Sequence, residues 1–297
     1  MIIWGLILLI TSSVWAQRPE GVPQGHPWAM RAQEAIENER FDEALVSLRV
    51  DLKTPSDFVW HDYLTGLVLI DQNKLDSAEV TLKHAAEKSK EIASKSEAGR
   101  LLARVERKLG LIERKRGNYD LSRQKHYEAL DLAQSFGSAE EEHDCLISLD
   151  VDCYYLSEWS ESERTLRQSL EVAAQITDPI ARTRAQATSN NNLAGTLAEL
   201  QNFAEAQEKG QTALTFWEEW QKMTGDTKDF RVGWAHYTLA DVYLKWAASL
   251  TESNALEASN KRGMAKYELM IMTVLAREAQ HPQSEFDLID KRLKECE

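Results

Sequence analysis

The chain has 297 residues, with 48 acidic and 35 basic side chains and a formal net charge of −13 at pH 7. This acidity disfavours non-specific binding to nucleic acid or to an anionic membrane surface. The 13 glycines and 6 prolines are too few for a collagen-like, disordered or turn-rich all-β protein. At about 150 residues per domain, the length allows one or two domains.

The first sixteen residues predict a secretory signal peptide. An apolar run over residues 2–10 is followed by small residues, with Val14 and Ala16 at the −3 and −1 positions before Gln17. The run is too short to cross a bilayer, which takes about 20 residues. No Lys or Arg precedes it, which departs from the usual layout, and a buried N-terminal helix is the alternative. We therefore expect cleavage after Ala16 and an exported chain, periplasmic or secreted, with no membrane span after cleavage.

The three cysteines do not suggest a disulfide scaffold. Cys145 and Cys153 are eight residues apart in a segment that predicts a helix, which places them about 12 Å apart along its axis. That separation is beyond the reach of a disulfide. We therefore expect helix packing to hold the fold together.

Residues 27–296 predict consecutive amphipathic helices of about 11 to 22 residues with short polar breaks. Every second helix starts with a similar phrase, in which a large residue is followed three places later by a small one. The spacings between the large residues are 34, 44, 40 and 44. The five pairs are Phe41 and Ala44, Leu75 and Ala78, Tyr119 and Ser122, Trp159 and Ser162, and Phe203 and Ala206. Such repeats bury their apolar faces only by stacking on their neighbours.

This pattern resembles the tetratricopeptide repeat (TPR) family. The first helices match it at Trp28 with Ala32, Gly66 with Leu69, Leu109-Gly110, Leu193-Ala194 with Leu197, and Leu239-Ala240 with Tyr243. The second helices match it at Ala85, Ala129 and Ala213, and the long spacings resemble those of kinesin light chains. Asp150 and Asp51 depart from the pattern, and the sixth second helix lacks the phrase. The resemblance implies an all-α fold, a right-handed superhelix (α-solenoid) of helix-turn-helix repeats.

The predicted organisation follows the repeats. After residues 1–16 comes a short segment over 17–26 and then a solenoid over 27–250. Its repeats lie near 27–56, 57–96, 97–136, 137–178, 180–224 and from 228 onward. Residues 251–297 predict an irregular last repeat and capping helices, at 263–279 and 284–295.

No sequence motif predicts an enzyme. The densest group of metal-ligating types is His143, Asp144, Cys145, Asp150, Asp152 and Cys153, which scatter around one predicted helix. Ordinary helix surface explains them better than a metal site. We predict no catalytic residue, metal or cofactor.

The resemblance implies that the first helix of each repeat lines a concave groove that holds a partner. In repeat three this helix is rich in basic residues, at Arg100, Arg104, Arg107, Lys108, Arg114 and Lys115. We expect long, exposed side chains that bind acidic or carboxylate-bearing groups of a partner. The alternative is a solvated face that pairs with neighbouring acids such as Glu140-Glu141-Glu142.

Two other sets of residues fall at groove positions. Asn191 and Asn192 resemble the amides with which TPR proteins hold a peptide backbone, although a helix start or turn would also explain them. The aromatic candidates are Trp60, Tyr63, Tyr154, Tyr155, Trp234 and Tyr237, for which packing between repeats is the alternative. Phe216, Trp217 and Trp220 are expected to pack against repeat six.

The sequence therefore predicts an exported, non-catalytic TPR scaffold that binds a protein or extended peptide in its groove. The alternative is an envelope ligand-binding subunit that holds a small molecule in an apolar pore near Trp60, Tyr154 and Trp234. The sequence identifies neither the partner nor the oligomeric state.

Overall fold

A computed structural model describes residues 27–37, 40–226, 229–250, 254–279 and 283–297. Of these described residues 84% are helical, and none of them lies in a strand. The predicted all-α fold class is therefore confirmed. The predicted signal peptide and the segment over 17–26 lie outside the described residues. Within the described ranges, every helix is too short or too polar to cross a membrane.

The described ranges contain thirteen helices. They are α1 (Pro27–Glu37), α2 (Phe41–Ser47), α3 (Pro55–Asp71), α4 (Leu75–Ser89), α5 (Lys95–Lys115), α6 (Tyr119–Phe136), α7 (Ala139–Tyr155), α8 (Trp159–Ala173), α9 (Pro179–Glu199), α10 (Phe203–Thr224), α11 (Arg231–Ser249), α12 (Ala255–Glu278) and α13 (Gln283–Lys294). Odd-numbered helices up to α11 are the first helices of the predicted repeats, and even-numbered helices are the second.

The helices form two compact halves, an N-terminal half that ends at Leu156 and a C-terminal half that begins at Ser157. Within each half, a first helix packs on the second helix of its own repeat, as α5 does on α6 and α9 on α10. Each second helix also packs on the next first helix, as α6 does on α7 and α10 on α11. This is the packing that a row of stacked hairpins requires.

The turns from first to second helices share one backbone conformation. Asn73, Gly117, Ser157 and Gln201 all have left-handed φ values, of 57°, 83°, 59° and 61°. In three of these turns the next N–H donates to a carbonyl five residues back, for example from Asn202 to Leu197 at 2.8 Å. This closure is the Schellman motif, which ends a helix and satisfies its last carbonyls. Each left-handed residue lies two places before a large residue of the repeated phrase.

The small residues of the phrase lie where helices touch. Ala44, Ala78, Ser122, Ser162 and Ala206 are all completely buried. The motif glycines lie equally close to their neighbours: a Cβ on Gly66 would lie 2.7 Å from Leu82 Cδ2, and one on Gly110 would lie 2.5 Å from His126 Nε2. The small residues of the repeated pattern therefore mark the closest contacts between helices.

The C-terminal half differs in detail from the expectation. Its last second helix, α12, starts at Ala255 and not near residue 263. Although α12 lacks the repeated phrase, Ala258 and Ala265 are buried and supply the small residues of a helix contact. The predicted packing of Trp217 and Trp220 is confirmed, since both form a buried cluster with Val232 and Ala235 of α11, with Phe216 at its edge. All three cysteines are free.

Candidate partner-binding site

The basic side chains of α5 face acidic side chains of α7, the next first helix. Arg104 Nε lies 2.7 Å from Glu141 Oε1, and Arg107 Nη2 lies 3.3 Å from Asp144 Oδ2. Farther along, Arg114 Nη1 lies 3.5 Å from Asp152 Oδ1. Three ion pairs therefore connect neighbouring first helices.

Most of the basic residues of α5 are withdrawn from solvent. Arg107, Lys108 and Arg114 are buried, and the side chain of Arg104 is only 12% exposed. Of the six candidates, Arg100 and Lys115 alone are exposed. The expectation of long, exposed side chains is therefore wrong at the other four positions. The prediction allowed this helix only one buried face, whereas α5 packs on four other helices, α3, α4, α6 and α7.

Lys108 is a buried cation with a strongly lowered pKa. Burial and, to a smaller extent, the neighbouring Arg107 lower its pKa to about 7, while Asp144 and Asp71 oppose the shift. Burial also lowers the pKa of the Arg114 guanidinium, against the attraction of Asp152. A charged group inside a protein loses its hydration, so it stays ionised only where opposite charges compensate.

Asp152 is the centre of a buried polar cluster. Besides Arg114, it accepts a hydrogen bond from Ser122 Oγ at 2.7 Å and contacts Nδ1 of His126. The other ring nitrogen of His126, Nε2, donates to the Arg107 carbonyl oxygen at 3.1 Å. Burial lowers the pKa of His126, and Asp152 opposes that shift. His126 and Asp152 are completely buried, so this serine, histidine and aspartate join helices and are closed to any substrate.

The aromatic candidates of α3 belong to the core. Trp60 and Tyr63 are 2% and 3% exposed and pack edge to face with ring centroids 6.0 Å apart. The Arg104 guanidinium lies over the Trp60 ring at 5.1 Å from its centroid. Both rings thus support the first helices, as the packing alternative predicted.

Tyr154 and Tyr155, at the end of α7, are only half-buried. The Tyr155 ring stacks on Tyr119 with a centroid distance of 4.7 Å, and burial raises the pKa of its hydroxyl. These two tyrosines are the aromatic candidates that keep part of their surface exposed.

The three asparagines lie in the middle of α9, so a helix start or a turn does not explain them. Asn190 is buried and donates to the Gln186 carbonyl of its own helix at 2.8 Å. Asn191 and Asn192 are half-exposed. Asn191 Oδ1 accepts no hydrogen bond from the described residues. Unsatisfied buried acceptors are uncommon in folded proteins, so this amide oxygen calls for an explanation.

The aromatic candidates of α11 are buried, and α13 contacts one of them. Trp234 is 8% exposed and Tyr237 is 1% exposed. Arg292 of α13 donates from Nε to the Tyr237 hydroxyl at 3.0 Å and lies 2.7 Å from Asp241 Oδ1. Burial raises the pKa values of Tyr237 and Asp241, while Arg292 opposes both shifts.

The acidic and sulfur-bearing residues of α7 do not converge on a metal. Within the described ranges, no group of three or more His, Cys, Asp and Glu side chains could hold one. Asp144 and Asp152 instead pair with Arg107 and Arg114.

Of the carboxylates that neutralise α5, sequence reasoning named Glu141 only in the alternative to a binding groove, and it missed the pairing of Asp144. Glu141 and Asp144 each lie 37 positions after the arginine that they pair with. This separation lies between the shortest and the longest repeat spacing, so comparing charges one repeat apart would have found both pairs.

Comparison with known proteins identifies the fold. No protein-family model and no curated protein sequence matches the chain, but solved structures do. A signal transduction ATPase with a TPR sensor from Pyrococcus horikoshii has a TM-score of 0.61 at 12% identity, over 91% of this chain and 40% of that one. A Rap protein, solved in complex with Competence and Sporulation Factor, has a TM-score of 0.57 at 17% identity, over 99% and 79%.

The TPR-like repeats of a kinesin light chain from Podosopora anserina have a TM-score of 0.54 at 13% identity, over 77% of this chain and 99% of theirs. These identities are low, so the likeness speaks for the fold alone. Together with the stacked hairpins, the left-handed turns and the buried small residues, it shows that this chain has the tetratricopeptide repeat fold.

Proposed function

We propose that this protein is a non-catalytic scaffold that binds a protein or an extended peptide along its first helices. The observation that carries the proposal is the pair of asparagines, Asn191 and Asn192, which are partly exposed in the middle of a first helix. The Oδ1 atom of Asn191 is buried in this conformation and has no donor among the described residues, and leaving such an acceptor unpaired costs about 1–3 kcal/mol. Rotation of the Asn191 side chain toward solvent would relieve this cost and present its amide to the backbone of an extended peptide.

The position of Asn191 supports this interpretation. Asparagine is a poor residue for a helix interior, and three in succession weaken α9 at its centre. The Asn190 side chain donates to a carbonyl of its own helix, whereas the Asn191 amide is left to pair with a partner once its side chain rotates toward solvent. The Rap protein, which has the same fold, was solved with a bound factor, so this architecture is compatible with such binding.

The adjacent asparagines provide a matched test. Partners are captured from an extract of the native organism with the parent chain, with Asn191→Ala and with Asn190→Ala, and are quantified by mass spectrometry. We expect Asn191→Ala to lose the specific partner and Asn190→Ala to retain it. Equal recovery by both variants, confirmed by calorimetry with the purified partner, would contradict the proposal.

We propose that acidic groups of the partner meet Arg100 and Lys115, the two exposed basic residues of α5. Arg104, Arg107, Lys108 and Arg114 support the same helix from within. Arg100→Glu with Lys115→Glu should then weaken binding about tenfold, or about 1.4 kcal/mol, and leave the circular dichroism spectrum unchanged. Unchanged affinity at low salt would show that the partner does not bind α5 through its charges.

The aromatic candidates have different parts in this proposal. Tyr154 and Tyr155 contact apolar groups of the partner, because they retain exposed surface. Trp60, Tyr63, Trp234 and Tyr237 hold the first helices in position. The alternative of a small-molecule pore gains no support, because Trp60 and Trp234 are each packed within their own half.

We also propose that the protein is exported after cleavage behind Ala16. The apolar run and the small residues at 14 and 16 support this. N-terminal sequencing of the protein from its native host tests it: a chain that begins at Gln17 is expected, and one that begins at Met1 would contradict it.

A further inference from the structure

The outward face of α12 carries an exposed apolar stripe. It consists of Leu256, Gly263, Tyr267, Met270 and Val274, with Met264 at its edge. The two largest exposed fractions are 78% for Leu256 and 64% for Tyr267. At 100° per residue, the five residues point within about 60° of one direction. Five of the twelve large apolar side chains that are exposed among the described residues lie on this one helix.

The same face of α10 is polar. Both helices bury side chains in steps of seven, four and three residues, at 206, 213, 217 and 220 in α10 and at 258, 265, 269 and 272 in α12. This match aligns the two helices with an offset of 52 residues. The positions of Gly263, Tyr267, Met270 and Val274 then correspond to Gln211, Thr215, Glu218 and Lys222. The apolar stripe is therefore a property of α12 and not of second helices in general.

Among the described residues, no neighbouring atom requires a glycine at position 263. A Cβ on Gly210 would lie 2.6 Å from Leu239, and one on Gly233 would lie 2.4 Å from Phe230. A Cβ on Gly263 would meet nothing within 4 Å. Glycine destabilises a helix interior relative to alanine, so a glycine in open space beside a row of apolar side chains indicates close approach of another backbone.

The stripe has an internal symmetry. The stripe is symmetric along the helix about Ala265: positions 256 and 274 lie nine residues before and after it, and positions 263 and 267 lie two residues before and after it. In an antiparallel pair of α12 helices around a two-fold axis at that level, Leu256 meets Val274 of the second copy. Tyr267 meets Gly263 of the second copy, a large side chain against a gap. Two-fold dimers are the commonest oligomers, and their contact patches must match themselves in this way.

We propose that this protein forms a homodimer through an antiparallel pair of α12 helices. From Leu256 to Val274 the contact is about 27 Å long. A large side chain has roughly 200 Å² of surface. With their exposed fractions, the five large side chains of the stripe and its edge therefore expose about 600 Å² of apolar surface per copy. That area is at the upper limit of patches on monomers, and Asn260, Ile271 and the stems of Lys266 and Arg277 extend it toward the about 800 Å² per partner of a stable interface.

The charged residues lie at the edges of the contact. Lys266 and Arg277 project about 70° and 50° from its centre, where repulsion between copies is screened by salt. On the other edge, Glu268 is held by His236 of α11, with Oε2 2.6 Å from Nδ1. Apolar contact therefore dominates, and the dimer should persist when salt is raised to about 0.5 M.

Sedimentation equilibrium of the full chain, from about 1 to 100 µM, tests the proposal. We expect a dimer of the 33.8 kDa chain, and we expect Tyr267→Glu with Met270→Glu to raise the dimer Kd at least a hundredfold with helicity unchanged. The matched control is Thr215→Glu with Lys222→Glu on the polar face of α10, which should leave the dimer intact. Gly263→Ala, which favours the helix, should still raise the Kd about tenfold.

A second measurement tests the orientation in a Cys296→Ser background. Mixed Gly263→Cys and Tyr267→Cys chains should cross-link to each other faster than either does to itself. A monomer at 100 µM would overturn the proposal and leave the stripe for a different partner. A dimer that the Tyr267→Glu and Met270→Glu changes do not affect, or that dissolves in salt, would overturn it in favour of another face.

Discussion

Two serines at the same place in the repeat have opposite surroundings. In the N-terminal half, Ser122 donates to Asp152, a buried carboxylate that also holds Arg114 and contacts His126. In the C-terminal half, Ser162 shares a hydrogen bond with the hydroxyl of Thr196 at 2.8 Å. The repeat requires a small residue at this position for close packing, but it does not determine which polar group this residue contacts. One half therefore connects its helices at this contact with ionisable groups, and the other with neutral ones.

The largest expected effect comes from removing the central carboxylate. Asp152→Ala leaves Arg114 buried without its anion, and breaking a buried ion pair typically costs about 3–5 kcal/mol. Ser162→Ala with Thr196→Val removes both partners of the neutral contact, which should cost about 1 kcal/mol or less. Urea unfolding at pH 7 measures both, and equal losses would remove the distinction between the halves.

Overpacking should affect the two halves alike, because the steric pattern is common to both. A larger side chain at Gly110 meets His126, and one at Gly210 meets Leu239. Gly110→Leu and Gly210→Leu should each destabilise the protein by about 1–3 kcal/mol. Thermal unfolding measures the effect. A variant whose melting temperature equals that of the parent would show that the neighbouring side chain can move aside without cost.

The pH dependence of Lys108 belongs to the N-terminal half alone. Its pKa in the folded protein, about 7, is below its ordinary value near 10.5, so between these values the unfolded chain binds more protons. This residue therefore makes the parent more stable as pH rises from 7 to 10. Lys108→Met should stabilise the protein at pH 6 by about 1–4 kcal/mol, and the gain should shrink toward pH 10. Urea titrations from pH 6 to pH 10 test this prediction. If the variant were more stable than the parent by the same amount at every pH, Lys108 would not lose a proton in this range as its lowered pKa requires.

The smallest effect concerns a turn of the C-terminal half. Gln201 has a φ of 61°, a conformation that costs a residue other than glycine about 1–2 kcal/mol. Gly117 occupies the same place in the turn between α5 and α6. Gln201→Gly should stabilise the protein by up to about 1 kcal/mol, and Gly117→Ala should destabilise it by a similar amount. Chemical unfolding measures the free energy of unfolding of both variants. If both substitutions changed it in the same direction, the left-handed position would not be what favours glycine in these turns.

The repeats were predictable because their signal is steric and local. The small residues of the phrase and the glycines of two first helices mark where helices come close, as Gly66 and Gly110 show. The extent of α12 was missed, because Ala258 and Ala265 meet the same requirement without the phrase.

The surroundings of the basic residues were not predictable from one helix. A wheel of α5 shows which residues share a flank, but the acids that meet Arg104 and Arg107 come from α7, 37 residues later. For Asn191 the position on a first helix was predictable, whereas its unsatisfied oxygen depends on the side chains of neighbouring helices.

The ion pairs between α5 and α7 have counter-ions that cannot diffuse away. Each arginine faces a carboxylate that the fold holds in place, so its effective concentration far exceeds that of a free ion. Arg107 and Arg114 are buried, so dissolved salt screens their pairs less than it screens pairs at the surface. We therefore expect the contacts between these two first helices to persist when the ionic strength is raised.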